Sequence, residues 1–247
     1  MSTAVESYLL SVPIEEKEEE LQMTFQVAMV GSDGLMVGSD KLVVDRTREP
    51  GRRTQDSQFA SGDKFCANRD GSLICFYAGG PQSKSIADAV TVQGNPAERN
   101  LAAWHYQLQK IAETVLANSV GDEVLVIRPN VDLSLIHRTG KEVSVPPVIA
   151  ERICTGVYAK SRFFVDSFWE LRSLKELRKL MFVALGCAAM ERPESVGRGF
   201  DLLTITKEGC SWETFSENAP EIREAVDEMM STIDAMLFPA TQNQGVS

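Results

Sequence analysis

Hairpin patterns and helix patterns alternate in blocks along the chain. Two hairpins come first, over residues 24–41 and 64–78, and paired helices, further strands and a last hairpin and helix follow them. Within the second hairpin, the strand over residues 72–78 is nearly all apolar on both sides, so we expect it to be covered on both faces. The order predicts an α+β protein, a four-layer α-β-β-α sandwich in which two antiparallel sheets pack together between outer helices.

The first hairpin brings two reactive side chains to one end. Along residues 25–30 of its first strand, two sets of side chains alternate between the two faces, and residues 31–34 (GSDG) supply the turn. Thr24 opens the first strand and Asp40 closes the second, so a hairpin of this length places them side by side. This arrangement favours nucleophilic catalysis, because a weakly nucleophilic hydroxyl needs a basic group and a positioned partner nearby.

The other elements follow from hydrophobic periodicity. Helices are predicted over residues 83–92, 96–118, 173–191 and 220–237. Strands are predicted over residues 123–128, 132–138, 143–145, 149–158, 200–206 and 210–215. Pro96 suits the first turn of the second helix. Residues 46–62 are predicted to form a polar, basic loop, and the aromatic cluster at residues 163–169 is assigned to the core or to a subunit interface.

Composition narrows the classes of function. The 247 residues include 35 acidic and 25 basic side chains, which argues against a nucleic-acid partner because phosphate binding needs a basic surface. No apolar run approaches the roughly 20 residues of a membrane span, and the N-terminus does not resemble a secretory signal, so a cytoplasmic protein without a membrane partner is expected. The five scattered cysteines are expected to be buried thiols, with no metal and no cofactor.

Three regions are expected along the chain. Residues 1–22 include the acidic run EEKEEE and form an N-terminal extension or leader, which is either a solvated tail or a segment that masks Thr24. Alternatively, Met23 is the true initiator and the upstream stretch is not in the working protein. Residues 23–238 form one domain, and residues 239–247 form a polar, disordered tail.

Three segments carry a resemblance to a known family. The first segment, residues 24–41, contains a threonine, a DG turn and the end S-D-K. The second, residues 63–88, contains D-K-F, an A-G turn and a helix with I-A-D. The third, residues 197–209, has the sequence GRGFDLLTITKEG. In this order they resemble a proteasome-type subunit of the N-terminal-nucleophile hydrolases, of the beta-subunit kind. The stretches at residues 23–28 and 195–203 look most like the bacterial ancestral-beta-subunit (Anbu) proteins.

The resemblance implies a fold and a site. The fold would be that of the N-terminal-nucleophile hydrolases. Thr24 would be the nucleophile, and its freed α-amino group or an adjacent water would be the general base. Asp40 and Lys64 would flank it, the lysine lowering the proton affinity of the amine and the hydroxyl. The amide of Gly79 would donate to the oxyanion. Asp201 is expected to be structural.

The chain also departs from the family pattern. Met23 stands where active proteasomal subunits usually have glycine, and Pro193 and Val196 stand at two positions that are polar in the family, with Ser195 beside them. Residues 155–161 (TGVYAKS) occupy the region of the family's G-S-G-S segment.

The resemblance therefore leaves three functions open. The first is a threonine-type endopeptidase subunit in a self-compartmentalising ring or spiral of like subunits, with peptides or unfolded proteins as substrates. The second is a non-catalytic structural subunit in which Thr24 stays internal. The third is an amidase acting on a small molecule.

Overall fold

The structure is a computed structural model. It describes residues 24–45, 58–116, 120–129, 132–146, 152–156, 159–170, 172–191, 193, 196–216 and 218–237. The predicted extension over residues 1–22 and the predicted tail over residues 239–247 lie outside the described residues, as does most of the predicted loop over residues 46–62.

Strands and helices alternate in blocks, as the sequence predicts. The strands of the described residues are β1 (Gln26–Gly31), β2 (Gly34–Asp40), β3 (Leu42–Asp45), β4 (Gln58–Ser61), β5 (Phe65–Ala67), β6 (Ile74–Gly79), β7 (Val120–Arg128), β8 (Asp132–Thr139), β9 (Glu142–Ser144), β10 (Arg152–Thr155), β11 (Phe200–Thr206) and β12 (Gly209–Phe215). The helices are α1 (Pro81–Gln93), α2 (Leu101–Thr114), α3 (Ala159–Phe168), α4 (Leu174–Glu191) and α5 (Pro220–Leu237).

The strands form two five-stranded sheets and one two-stranded ribbon. The first sheet has the order β10-β1-β2-β11-β12, the second sheet has the order β5-β6-β7-β8-β9, and β3 pairs with β4. Every pairing is antiparallel. The predicted pair of antiparallel sheets is therefore confirmed.

Three apolar clusters define the layers. Ala28 and Val37 of the first sheet pack between the sheets against Phe76 and Leu125 of the second sheet. On its other face the first sheet packs against residues of α3, α4 and α5, and the second sheet packs against α1 and α2. These clusters produce four layers, helices–sheet–sheet–helices, which confirms the predicted sandwich. Strand β6 contributes to two of the clusters, as its two apolar faces require.

Three predicted elements need correction. Residues 58–61 belong to strand β4 and not to a loop. Helix α2 begins at Leu101 and not at Pro96, because the Asn100 side chain accepts a hydrogen bond from the amide of Ala103 and caps the helix. Residues 159–168 form helix α3, whereas the sequence pattern predicts only an aromatic cluster there and no helix.

The helical form of this segment has a packing reason. Phe164 and Phe168 are four residues apart and stack with ring centroids 6.2 Å apart, and both contact the cluster beneath the first sheet. Among the described residues, no helix is both long and apolar enough to cross a membrane.

Candidate active site

The hairpin of β1 and β2 brings Thr24 and Asp40 to one end. Thr24 lies two residues before β1, Asp40 is the last residue of β2, and the antiparallel register pairs Gln26 with Ser39. Lys64 comes from the second sheet, immediately before β5. Its Nζ lies 3.0 Å from Thr24 Oγ1 and 2.9 Å from Asp40 Oδ2. The structure thus assembles three of the four predicted site residues into one hydrogen-bonded cluster.

The cluster is almost completely buried. The side chains of Lys64 and Asp40 are 5% and 0% exposed, and Thr24 is 5% exposed. Asp40 also accepts hydrogen bonds from the amides of Phe25 (2.9 Å) and Leu42 (3.1 Å), which fix both carboxylate oxygens. The carboxylate therefore holds Lys64 in a single position against the threonine hydroxyl.

Burial also shifts the proton affinities of the ion pair. Loss of hydration raises the pKa of Asp40 above its ordinary value, and the attraction of Lys64 only partly opposes this change. Loss of hydration lowers the pKa of Lys64, with Asp40 acting in the opposite direction. A lysine with a lowered pKa releases a proton more readily, and the Lys64 ammonium donates to the Thr24 hydroxyl oxygen.

Gly79 lies at the end of the strand next to Lys64. The amide of Tyr77 donates to the carbonyl of Lys64 at 3.0 Å, and Gly79 follows two residues later as the exposed last residue of β6. Its φ of +95° favours glycine, and a Cβ added there would lie 2.1 Å from the carbonyl oxygen of Gly121. The structure thus leaves Gly79 outside the hydrogen bonds of the cluster, on a backbone that needs glycine.

Gln26 was not predicted as a site residue. It is fully buried on the face of β1 that points toward the second sheet, and its Nε2 donates to the Tyr77 carbonyl at 2.9 Å. This bond joins the two sheets two residues from Thr24. No described residue bonds the Gln26 Oε1 atom or the Thr155 Oγ1 atom opposite it in the register. The available signal was a glutamine at an inward position of an apolar strand.

Lys41 is a second missed residue. Its Nζ lies 3.1 Å from both carboxylate oxygens of Asp201 and 2.7 Å from Asp63, and Thr214 donates to Asp201 at 2.7 Å. The Lys41 amide bonds the carbonyls of Gly197 and Gly199. This second ion cluster ties β11 to the end of β2 next to Asp40, as the structural role predicted for Asp201 requires.

The departures from the family pattern have different surroundings. Val196 is buried, Pro193 is exposed, and Ser195 lies outside the described residues. In the described part of the chain, no group of three or more His, Cys, Asp or Glu side chains is placed to hold a metal ion.

No protein-family model matches the sequence, and a search of curated proteins finds no match. Several solved protein structures are similar in fold to this chain. An Anbu (Gly-1) mutant from Hyphomicrobium sp. strain MC1 has a TM-score of 0.63 at 13% identity, covering 87% of this chain and 96% of its own. Anbu (ancestral beta-subunit) from Yersinia bercovieri has a TM-score of 0.60 at 14% identity, covering 86% of this chain and 96% of its own.

A third similar structure is the helical assembly of the Anbu complex from Pseudomonas aeruginosa. Its TM-score is 0.61 at 14% identity, and the match covers 86% of this chain and 95% of that chain. Identities this low establish the fold alone. The similarity confirms the resemblance that the three sequence segments carry: the chain has the proteasome-like fold of the Anbu proteins.

Proposed function

We propose that the chain is a threonine-type endopeptidase subunit that cleaves peptide bonds with Thr24. One observation carries the proposal: the Lys64 ammonium lies 3.0 Å from the Thr24 hydroxyl oxygen and is held there by the buried Asp40 carboxylate. A hydroxyl nucleophile beside a desolvated lysine has the activation that covalent catalysis requires. An exposed surface threonine would have neither the fixed lysine nor the water-poor surroundings.

The proposed reaction follows from these groups. The Thr24 oxygen attacks the carbonyl carbon of a peptide, and its proton passes to the freed α-amino group of Thr24, whose ordinary pKa of about 7.7–8.0 suits a base near neutral pH. The amine of the cleaved peptide leaves with that proton. Water then hydrolyses the ester on Thr24 and restores the hydroxyl.

The flanking residues have distinct proposed roles. Lys64 stabilises negative charge developing on the threonine oxygen, and Asp40 positions Lys64. The amide of Gly79 donates to the oxyanion; loss of one such donor typically lowers the rate about 100- to 1000-fold. The exposure of Gly79 at the end of β6 supports this role, because a substrate can reach its backbone.

The proposal includes a self-compartmentalising assembly of like subunits in the cytoplasm. The fold supports it, since one of the similar structures is described as a helical assembly of the Anbu complex. Such an assembly would admit unfolded segments and exclude folded proteins. Peptides and unfolded proteins are accordingly the proposed substrates.

The test compares two forms of the protein. In one, Thr24 directly follows the initiator methionine, whose removal exposes the α-amine; the other is the full chain. We expect the short form to hydrolyse fluorogenic peptides and to be labelled by an epoxyketone, which reacts with both the hydroxyl and the amine of an N-terminal threonine. Thr24→Ala should abolish both readouts, whereas Thr206→Ala, which changes a threonine at the β11–β12 turn, should retain them. A short form that assembles but neither cleaves nor labels would overturn the proposal.

A non-catalytic structural subunit is the second candidate. The observation in its favour is Met23, which stands where active proteasomal subunits usually carry the glycine of the self-cleavage site. For this candidate we expect the full chain to retain Met1 by intact mass, to resist the probe, and still to sediment as an oligomer. A monomer at micromolar concentration would contradict both candidates.

A further inference from the structure

Cys66 and Cys75 face each other across the strand pair that carries Lys64. The register of β5 and β6 places them directly opposite each other. Along the strand pair, the residue pairs two positions before and two positions after Cys66 and Cys75 are hydrogen-bonded: the Tyr77 amide donates to the Lys64 carbonyl, and the Asn68 amide donates to the Leu73 carbonyl. Hydrogen-bonded and non-hydrogen-bonded pairs alternate along an antiparallel ladder, so Cys66 and Cys75 form a hydrogen-bonded pair with Cα atoms about 5.5 Å apart. This separation lies within the range that a disulfide spans.

The two thiols have different surroundings. Cys75 is fully buried against α1 and α2, whereas Cys66 is partly exposed. The two thiols interact across the strand pair; this interaction lowers the pKa of the Cys66 thiol and, together with burial, raises the pKa of Cys75. On α1, Thr91 stabilises the Cys66 thiolate and the carboxylate of Asp88 opposes it. The accessible thiol is thus the better nucleophile, and the buried thiol is its nearest sulfur neighbour.

We propose that Cys66 and Cys75 form an oxidation site, in which a low-molecular-weight disulfide such as glutathione disulfide converts the two thiols into a cross-strand disulfide. The Cys66 thiolate attacks one sulfur of the small disulfide and releases one thiolate. Cys75 then gives up its proton and attacks the Cys66 sulfur of the mixed disulfide, releasing the second thiolate. Two protein thiols are oxidised and one small disulfide is reduced to two thiols, so atoms and electrons balance.

The crosslink acts on the candidate active site through β5. This strand has three residues and lies at the edge of the second sheet, and Lys64 is two residues before Cys66. On β6, Tyr77 is two residues after Cys75 and accepts the bond from Gln26 that joins the sheets. A disulfide would fasten the short edge strand to β6 and restrict opening of the segment that carries Lys64.

The test uses the full chain and glutathione disulfide. After treatment of the folded protein, non-reducing digestion and mass spectrometry should find the Cys66 and Cys75 peptides joined, two hydrogen atoms lighter than their sum. In Cys75→Ala the resolving sulfur is missing, so Cys66 should instead accumulate glutathione. Cys66→Ser should abolish both products. Cys210 is the control, because it is exposed and lies on β12, and Cys210→Ser should leave the Cys66–Cys75 product unchanged.

Two results would overturn the proposal. In the first, Cys66 and Cys75 of the treated wild-type protein are each still alkylated singly after unfolding. In the second, glutathione remains on Cys66 of the wild-type chain to the same extent as in Cys75→Ala, which would show that Cys75 does not resolve it. The first result comes from the wild-type protein alone, so that decision does not depend on folding of the Cys75 variant.

Discussion

The ion pair of Asp40 and Lys64 allows a sharp test of the buried cluster. We consider Asp40→Asn, Lys64→Met and the double variant, each measured for its free energy of unfolding at neutral pH. At 2.9 Å and an effective dielectric constant of about 20, the attraction between the charges is about 6 kcal/mol. Dehydration of the two groups costs several kcal/mol per ion, so the attraction largely offsets burial and does not add net stability.

Each single variant removes the attraction and leaves the cost of burying the other charge. We expect both to lose about 3–5 kcal/mol, with Lys64→Met at the lower end because Asp40 keeps its bonds from the Phe25 and Leu42 amides. The double variant buries no charge here and should be within about 1 kcal/mol of the wild type. The coupling energy, which is the sum of the two single-variant losses minus the loss in the double variant, is then about 5–11 kcal/mol.

The assay is denaturant unfolding at one fixed protein concentration, so that any assembly affects all variants alike. The matched control applies the same substitutions to Lys84 and Asp88, an ion pair at 2.7 Å whose side chains are 58% and 49% exposed. Its coupling energy should be below about 0.5 kcal/mol. If the Asp40–Lys64 coupling is as small as the control value, the pair is screened by solvent and the reasoning about the site is wrong.

The pKa shifts of the pair also give the sign of its pH dependence. Burial raises the pKa of Asp40 above 3.8. Between pH 3.8 and the raised pKa, the folded chain keeps a proton that the unfolded chain loses, so the free energy of unfolding falls as the pH rises. Burial lowers the pKa of Lys64 below 10.5, so stability rises from that lowered pKa toward 10.5. Relative to the double variant, the wild type should be least stable between the two shifted pKa values.

Two further predictions concern other parts of the chain. Gly79→Ala should destabilise the protein more than Gly71→Ala. Both glycines have a positive φ, which costs alanine about 1–2 kcal/mol, but only at Gly79 would the added Cβ meet a backbone oxygen, which adds about 1–3 kcal/mol. Equal melting temperatures of the two variants would contradict this prediction. Burial raises the pKa of Cys154 to about 12, so iodoacetamide near neutral pH should label Cys210 in the folded protein and spare Cys154 until unfolding; equal labelling rates would refute it.

Much of the architecture can be predicted from hydrophobic patterns. The apolar run of β6 requires cover on both faces, and the structure packs sheet and helices against it. The placement of Thr24 and Asp40 side by side at one end follows from the length of one hairpin, because the register of its two strands fixes both positions. Lys64 required the family resemblance, since nothing local indicates which lysine of another sheet reaches the threonine.

Other features depend on tertiary contacts that the sequence pattern does not show. Lys41 meets Asp201 although 160 residues separate them, and no periodicity links the two. Helix α2 starts late because the side chains of Asn95 and Glu98 bond nearby amides in the turns before Asn100, a local competition that outweighs the tendency of Pro96 to begin a helix.

The charges beside the candidate site also specify how the two segments align. Asp40 and Lys41 are consecutive, as are Asp63 and Lys64, and the contacts cross: Asp40 meets Lys64 and Lys41 meets Asp63. A slip of one residue would bring either the two carboxylates or the two ammonium groups together. Of these alignments, only the native one places opposite charges together. The four residues therefore disfavour packing of the two segments out of register, whether or not the threonine cleaves a substrate.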